Sequence, residues 1–177
     1  MQQKMPEVEY VEDRMETEEL LERLCPPVRN WFMDKFPDFT EPQKVAIPRI
    51  LKGEHLLLCS PTGSGKTLTA FLTIIDDLVR GSLDGTLPDS VQCVYISPIK
   101  ALANDIEKNL LGPLSEIKER FLPSRAKEIK VGLRTGDTPQ SEREKMLRKP
   151  PHILITTPES LGLGLASKRF RPILDQM

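Results

Sequence analysis

The run Ser60-Pro61-Thr62-Gly63-Ser64-Gly65-Lys66-Thr67 has the residue types and spacing needed to hold a polyphosphate. Gly63 and Gly65 let the backbone curl so that successive N–H groups point inward, and the N-terminus of a following helix adds the positive end of its dipole. Lys66 would place its ammonium on the β and γ phosphates, and the Thr67 hydroxyl would complete the shell of a magnesium ion that keeps several waters. Thr62, Gly63, Ser64, Gly65, Lys66 and Thr67 are therefore the candidate nucleoside-triphosphate contacts, with Lys66 and Thr67 as the catalytic pair and Thr67 as the metal ligand. The leading position of such a loop is usually glycine, and here it is Ser60. A strand-to-helix turn with no ligand would share the glycines, so the flanking segments decide.

Those flanks are of the right kind. His55-Leu56-Leu57-Leu58-Cys59 is short and apolar, as a buried parallel strand is, and Leu68 to Leu78 repeats its apolar residues at helical spacing. Beyond the loop, strands are expected at His55–Ser60, Val91–Ser97, Ile129–Arg134 and His152–Thr157. Helices are expected at Lys66–Arg80, at Lys100–Phe121 with a break at Gly112-Pro113, at Gln140–Lys149, and from near Glu159. Gly81 to Pro88 has the chemistry of a surface loop. This alternation specifies an α/β fold with a parallel sheet flanked by helices. Ahead of it, residues 1–16 read as an acidic arm and 17–53 as a helical lead-in. The lead-in comprises Thr17–Leu24 with Thr17 as cap, Val28–Phe36, and a third helix from Thr40 to Gly53 that Pro48 would kink.

With 177 residues, 38% hydrophobic and 29% charged, the chain has the composition of a globular domain with a sizeable core. No apolar run approaches the length of a spanning helix and the first residues lack a signal-peptide core, which predicts a cytoplasmic protein with no membrane partner. Cys25, Cys59 and Cys93 lie mostly in apolar runs and read as reduced core residues. Charge is uneven. Met1–Glu22 holds eight acidic against two basic residues, whereas Lys118–Lys149 holds ten basic against five acidic, so the second stretch could face phosphate or form ordinary solvated helix faces.

The later strands each run into a short polar signature: Ser97-Pro98-Ile99-Lys100-Ala101-Leu102, Arg134-Thr135-Gly136-Asp137-Thr138 and Thr156-Thr157-Pro158-Glu159-Ser160. The carboxyl ends of parallel strands share one edge, where ligands bind, and hydroxyls with exposed N–H groups suit a phosphodiester backbone. Singly, each signature reads equally as a helix cap. In order with the loop, and with Gln43 in Phe39-Thr40-Glu41-Pro42-Gln43 upstream, they resemble the first half of a superfamily 2 helicase, closest to the large helicase-related (Lhr) proteins, relatives of the Ski2-like enzymes. The resemblance runs from about Val28 to the end. It implies a RecA-like P-loop lobe over residues 54–177, ATP and Mg2+ as cofactors, and Gln43 as the adenine-recognising glutamine. It further implies that Ser97, Lys100, Thr135, Gly136 and Thr157 contact single-stranded nucleic acid, DNA in the Lhr case. An amide can pair bidentately with an adenine edge, although Gln43 alone would read as an exposed helix residue.

The Asp-Glu-x-His of motif II, motif III and a second RecA-like lobe with its arginine finger are absent from the 177 residues. In the resembled fold the strands carrying motifs II and III lie between the first two strands, so the sheet is expected to be incomplete at the C-terminus, with a gap in its middle. The sequence thus reads as an N-terminal piece of a 3′ to 5′ ATP-dependent helicase that would not turn over ATP alone. Competing readings are a non-catalytic nucleotide- or nucleic-acid-binding fragment, an RNA-directed Ski2-like helicase, and a P-loop kinase or unrelated ATPase, the last leaving the later signatures unexplained.

Overall fold

Three apolar runs pair into a parallel sheet in the computed structural model, which describes residues 13–98 and 106–175. β1 (Cys93–Ile96), β2 (Val131–Arg134) and β3 (Ile153–Thr156) lie in the order β1-β3-β2, with Tyr95 opposite Ile155 and Leu133 opposite the same residue from the other side. β3 is buried along its whole length. An Ile-Leu-Ile run is what a strand covered on both faces requires.

The helices are α1 (Thr17–Arg23), α2 (Pro26–Lys35), α3 (Glu41–Ile50), α4 (Lys66–Asp84), α5 (Gly112–Phe121), α6 (Gln140–Arg148) and α7 (Pro158–Leu165). A single π turn, Glu107–Leu111, leads into α5, and a 3-10 turn, Arg171–Ile173, follows α7. α4 turns Phe71, Leu72, Ile75, Leu78 and Val79 into the core, with the Phe71 ring 4.8 Å from that of Tyr95 on β1. The lead-in helices share this core through Leu20, Val28, Trp31, Phe32 and Ile47, and Phe32 stacks on Phe39 at 4.0 Å.

A buried carboxylate fastens the lead-in to α4. Asp76 accepts from the Cys25 amide at 2.6 Å and from Arg80 Nε at 2.7 Å, while the far end of Arg80 donates to the Arg23 carbonyl. The Cys25 N–H at the start of α2 thus has its acceptor despite burial, which a polar group inside a core requires. Burial first, and Asp76 beside it, push the Cys25 thiol up to about 12, so it stays an uncharged core residue.

Five expectations are corrected. His55–Ser60 forms no strand: it pairs with nothing among the described residues, Leu57 is 84% exposed, and Cys59 is exposed instead of buried. Between this segment and Tyr95 of β1 lies a groove of about 520 Å³, floored by Thr69, Ala70 and Thr73 of α4. The sheet therefore has no gap in its middle: its three strands are contiguous, and the first strand is lost because a strand needs ladder partners at its edges.

α4 continues past Arg80 to Asp84, so the first half of the loop expected at Gly81–Pro88 is helix. Ser82 is buried and donates to the Lys127 carbonyl at 2.6 Å, and the helix stops at Gly85 with φ 72°. Thr17 is the first helical residue and not the cap, which is Glu16; its hydroxyl bonds Asp38. α2 begins at Pro26, since a missing N–H costs nothing in a first turn. The helix start expected at Lys100 lies outside the described residues.

Candidate nucleotide and nucleic-acid site

The phosphate loop has the backbone its sequence demands. Gly63 and Gly65 take φ of 83° and 87°, the left-handed region that side chains disfavour. Gly65 is doubly constrained, because a Cβ there would stand 2.7 Å from Gln43 Nε2. Gly65 also caps α4, a helix of 19 residues. The amides of Gly63, Gly65, Lys66 and Thr67 donate to no acceptor among the described residues, so the loop and first turn present a row of free N–H groups at the positive end of the helix.

Lys66 folds back over this loop. Its Nζ donates to the Ser60 carbonyl and, at 2.7 Å, to the Pro61 carbonyl. Ser60, where glycine is usual, has a local use: its hydroxyl pairs with that of Ser64 across the loop. Thr67 is half-buried in the first turn of α4 and, with Lys66, lines the end of the groove that reaches Tyr95. Free N–H groups, an ammonium and a hydroxyl at one helix start fit a magnesium-bound polyphosphate. No cluster of three acidic, His or Cys residues able to hold a metal occurs among the described residues, so the magnesium shell would rest on Thr67, phosphate oxygens and water.

α3 is fastened to the same loop. Thr40 Oγ1 donates to the Ser64 carbonyl at 2.8 Å, and Gln43, 3% exposed, accepts from the Thr40 amide at 2.9 Å through Oε1. Gln43 is thus a buried helix-start residue rather than an exposed one, with Nε2 lying against Gly65.

The other candidates lie at the carboxyl edge of the sheet. α4 runs antiparallel to β1, its early residue Phe71 meeting Tyr95 and its late residues Gly81 and Asp84 sharing a cavity with Gln92 and Cys93, so the phosphate loop faces that edge too. The three strand ends are tied level: the Ser97 amide donates to the Thr156 carbonyl at 3.1 Å, and Thr156 Oγ1 donates to the Arg134 carbonyl at 2.7 Å. Ser97 and Thr157 are buried, Thr135 is half-buried and Gly136 is exposed. Thr157 caps α7, its hydroxyl accepting from the Ser160 amide at 3.3 Å. Lys100 lies outside the described residues.

Two arginines outside the expected contact set belong to this edge. Arg143 of α6 bonds three carbonyls of the loop after β2, and Arg134 lies over the Phe170 ring at 3.7 Å. Burial, and then Arg143 nearby, lower the Arg134 pKa. The basic stretch as a whole does not converge there. Lys118 pairs with Glu128, Arg120 with Asp34, and Lys127 and Lys130 with Asp89, toward the amino ends of the strands. No helix among the described residues is long and apolar enough to cross a membrane.

Residues 40–176 match the DEAD/DEAH box helicase family. The chain is 48% identical over 172 residues to the ATP-dependent helicase Lhr-Core of Methanocaldococcus jannaschii, covering 96% of this chain and 20% of that protein. It is 44% identical over 149 residues to the Lhr helicase/uracil glycosylase of Escherichia coli, covering 81% of this chain and 10% of the relative. The structure of Mycobacterium smegmatis helicase Lhr bound to ssDNA and AMP-PNP superposes with a TM-score of 0.74 at 45% identity, over 87% of this chain and 19% of that one. The chain therefore spans a fifth or less of the length of these relatives.

Proposed function

Because this chain belongs to the DEAD/DEAH box helicase family, we propose that it is the ATP-binding part of an ATP-dependent helicase of the Lhr kind, acting on DNA with 3′ to 5′ polarity. The observation that carries the reading is the start of α4, where free amides, the Lys66 ammonium and the Thr67 hydroxyl meet on a loop held open by Gly63 and Gly65. Support for the ligands comes from the M. smegmatis Lhr, which was solved with ssDNA and AMP-PNP.

In this reading Lys66 exchanges the Ser60 and Pro61 carbonyls for phosphate oxygens, and Thr67 offers its hydroxyl to magnesium. Bound there, Mg2+ would neutralise charge developing between the β and γ phosphates. Gln43 would turn its Nε2 toward adenine while Oε1 keeps the start of α3. Ser97, Lys100, Thr135, Gly136 and Thr157 would hold one strand by its backbone. Residues 17–53 serve as the lead-in that carries Gln43, and 54–177 as the lobe that carries the loop. Hydrolysis would further need a carboxylate partner for magnesium and a second RecA-like lobe to close over the nucleotide. The 177 residues by themselves bind nucleotide without turning it over.

Calorimetry with AMP-PNP and Mg2+ tests the assignment. Lys66→Ala removes a charge-assisted phosphate bond and should weaken binding about ten- to a hundredfold without lowering the melting temperature. Equal affinity for both proteins would remove the loop from the proposal. Gln43→Ala should weaken ATP more than GTP; a uniform loss would make Gln43 a structural cap alone.

A further inference from the structure

Arg143 lies in the first turn of α6 and closes the loop between β2 and α6 from inside. Its Nε donates to the Thr138 carbonyl at 2.8 Å, and one terminal nitrogen donates to the carbonyls of Thr135 at 3.1 Å and Gly136 at 2.7 Å. In a trans peptide the carbonyl and the following N–H point in opposite directions. Drawing the Thr135 and Gly136 oxygens onto the guanidinium therefore turns the N–H groups of Gly136 and Asp137 away from it. Neither amide donates to any group among the described residues, and both residues are exposed. The Thr135 amide, by contrast, is taken by Thr138 Oγ1 at 2.8 Å. The loop thus displays two donors whose direction is fixed before any ligand arrives.

We propose that Arg143 is a positioning residue for nucleic-acid binding: it aims the Gly136 and Asp137 amides at a backbone phosphate of the bound strand without touching that phosphate itself. The inference rests on the reading of Thr135 and Gly136 as single-strand contacts. The exposed Asp137 brings a negative charge to the same loop, so the loop attracts a phosphate through donor direction more than through net charge. Arginine suits the task because its planar fork reaches several acceptors at once, which a lysine ammonium on a flexible stem does not.

The test measures anisotropy of a fluorescein-labelled oligothymidylate with the 177-residue chain over a range of salt concentrations, alongside the melting temperature and AMP-PNP affinity. Arg143→Ala should weaken oligothymidylate binding about fivefold, the effect of ordering the loop at the moment of binding, with AMP-PNP affinity and the slope of log affinity against log salt unchanged. Arg143→Lys keeps the charge and should remain weakened; it is also the variant to read if the alanine protein melts below the assay temperature. A slope reduced by about 0.7 would make Arg143 a direct phosphate contact and overturn the proposal. Unchanged affinity in Arg143→Ala, or full affinity in Arg143→Lys, would overturn it as well. If the unmutated chain binds AMP-PNP but no oligothymidylate, the single-strand reading itself falls, and this inference with it.

Discussion

β3 and the segment at His55–Ser60 are both short apolar runs, and they end in opposite conditions. Ile153, Leu154 and Ile155 are buried with a strand on either side, whereas Leu56 and Leu57 are exposed and make no backbone hydrogen bond among the described residues. Both read as apolar runs, although β3 has the β-branched Ile153, Ile155 and Thr156 where the other has leucines. The larger difference is the supply of neighbours, since a parallel strand takes its N–H and C=O partners from elements far away in sequence. The phosphate loop is attached to the poorer of the two regions, and it keeps its shape through glycine conformation, the α4 terminus and the bond from Thr40 rather than through a strand behind it.

That contrast can be broken most sharply by paired truncations. Leu154→Ala should lose about 2–5 kcal/mol of stability in urea unfolding, because a cavity opens in the strand with partners on both sides. Leu57→Ala should change stability by no more than about 0.5 kcal/mol, as a surface substitution does. Similar losses would mean that the first run is packed in solution. Next in size is Gly65→Ala, which forces a side chain into the left-handed region and against Gln43. It should cost about 1–3 kcal/mol and reduce AMP-PNP binding, measured by thermal melting and calorimetry on the same sample.

The smallest effect concerns the foot of the paired sheet. His152 is fully buried, accepts from the Lys130 amide at 2.8 Å through Nδ1, and has Lys130, Lys127 and Asp89 around it. Burial, then the two ammonium groups, lower its pKa below 6.5. Between its folded value and its unfolded value of about 6.5 the unfolded chain binds more protons, so stability falls as pH drops through that window and is flat above it. His152→Gln should remove this slope while leaving the steeper loss at lower pH, where carboxylates such as Asp89, held low by Lys127, are protonated. Melting curves taken in pH steps would show it, and an unchanged slope would assign the acid sensitivity elsewhere.

The sheet was legible where sequence and neighbours agree. Val91–Ser97, Ile129–Arg134 and His152–Thr157 each contain the observed strand because each is an apolar run that finds a partner within the chain. His55–Ser60 carries the same signal without the partner, so the strand expected there and the burial expected of Cys59 both failed on non-local grounds. The end of α4 has a local signal in Asp84-Gly85, a helix stop, whereas Gly81 lies inside the helix, where its lack of a side chain lets Leu87 pack close.

For the site, glycine spacing showed the loop, and the resemblance supplied Gln43. Neither showed that Gln43 Oε1 serves the start of α3. Asp76 and Arg143 left no pattern in the sequence, since one is a carboxylate on an apolar helix face and the other a cation in an ordinary surface helix. Their partners become visible only when the Cys25 amide and three loop carbonyls are brought beside them.

The seat of the Lys66 ammonium on the Ser60 and Pro61 carbonyls has a consequence in time. A nucleotide arriving at the loop meets an arm already engaged, and the two contacts must be surrendered before the γ phosphate can be grasped. Apparent affinity is then scaled by the fraction of molecules whose arm is free. A side chain leaves such a seat far faster than mixing is complete, so capture measured by rapid mixing should climb in proportion to nucleotide concentration, and Lys66→Ala should act by shortening the residence of whatever binds.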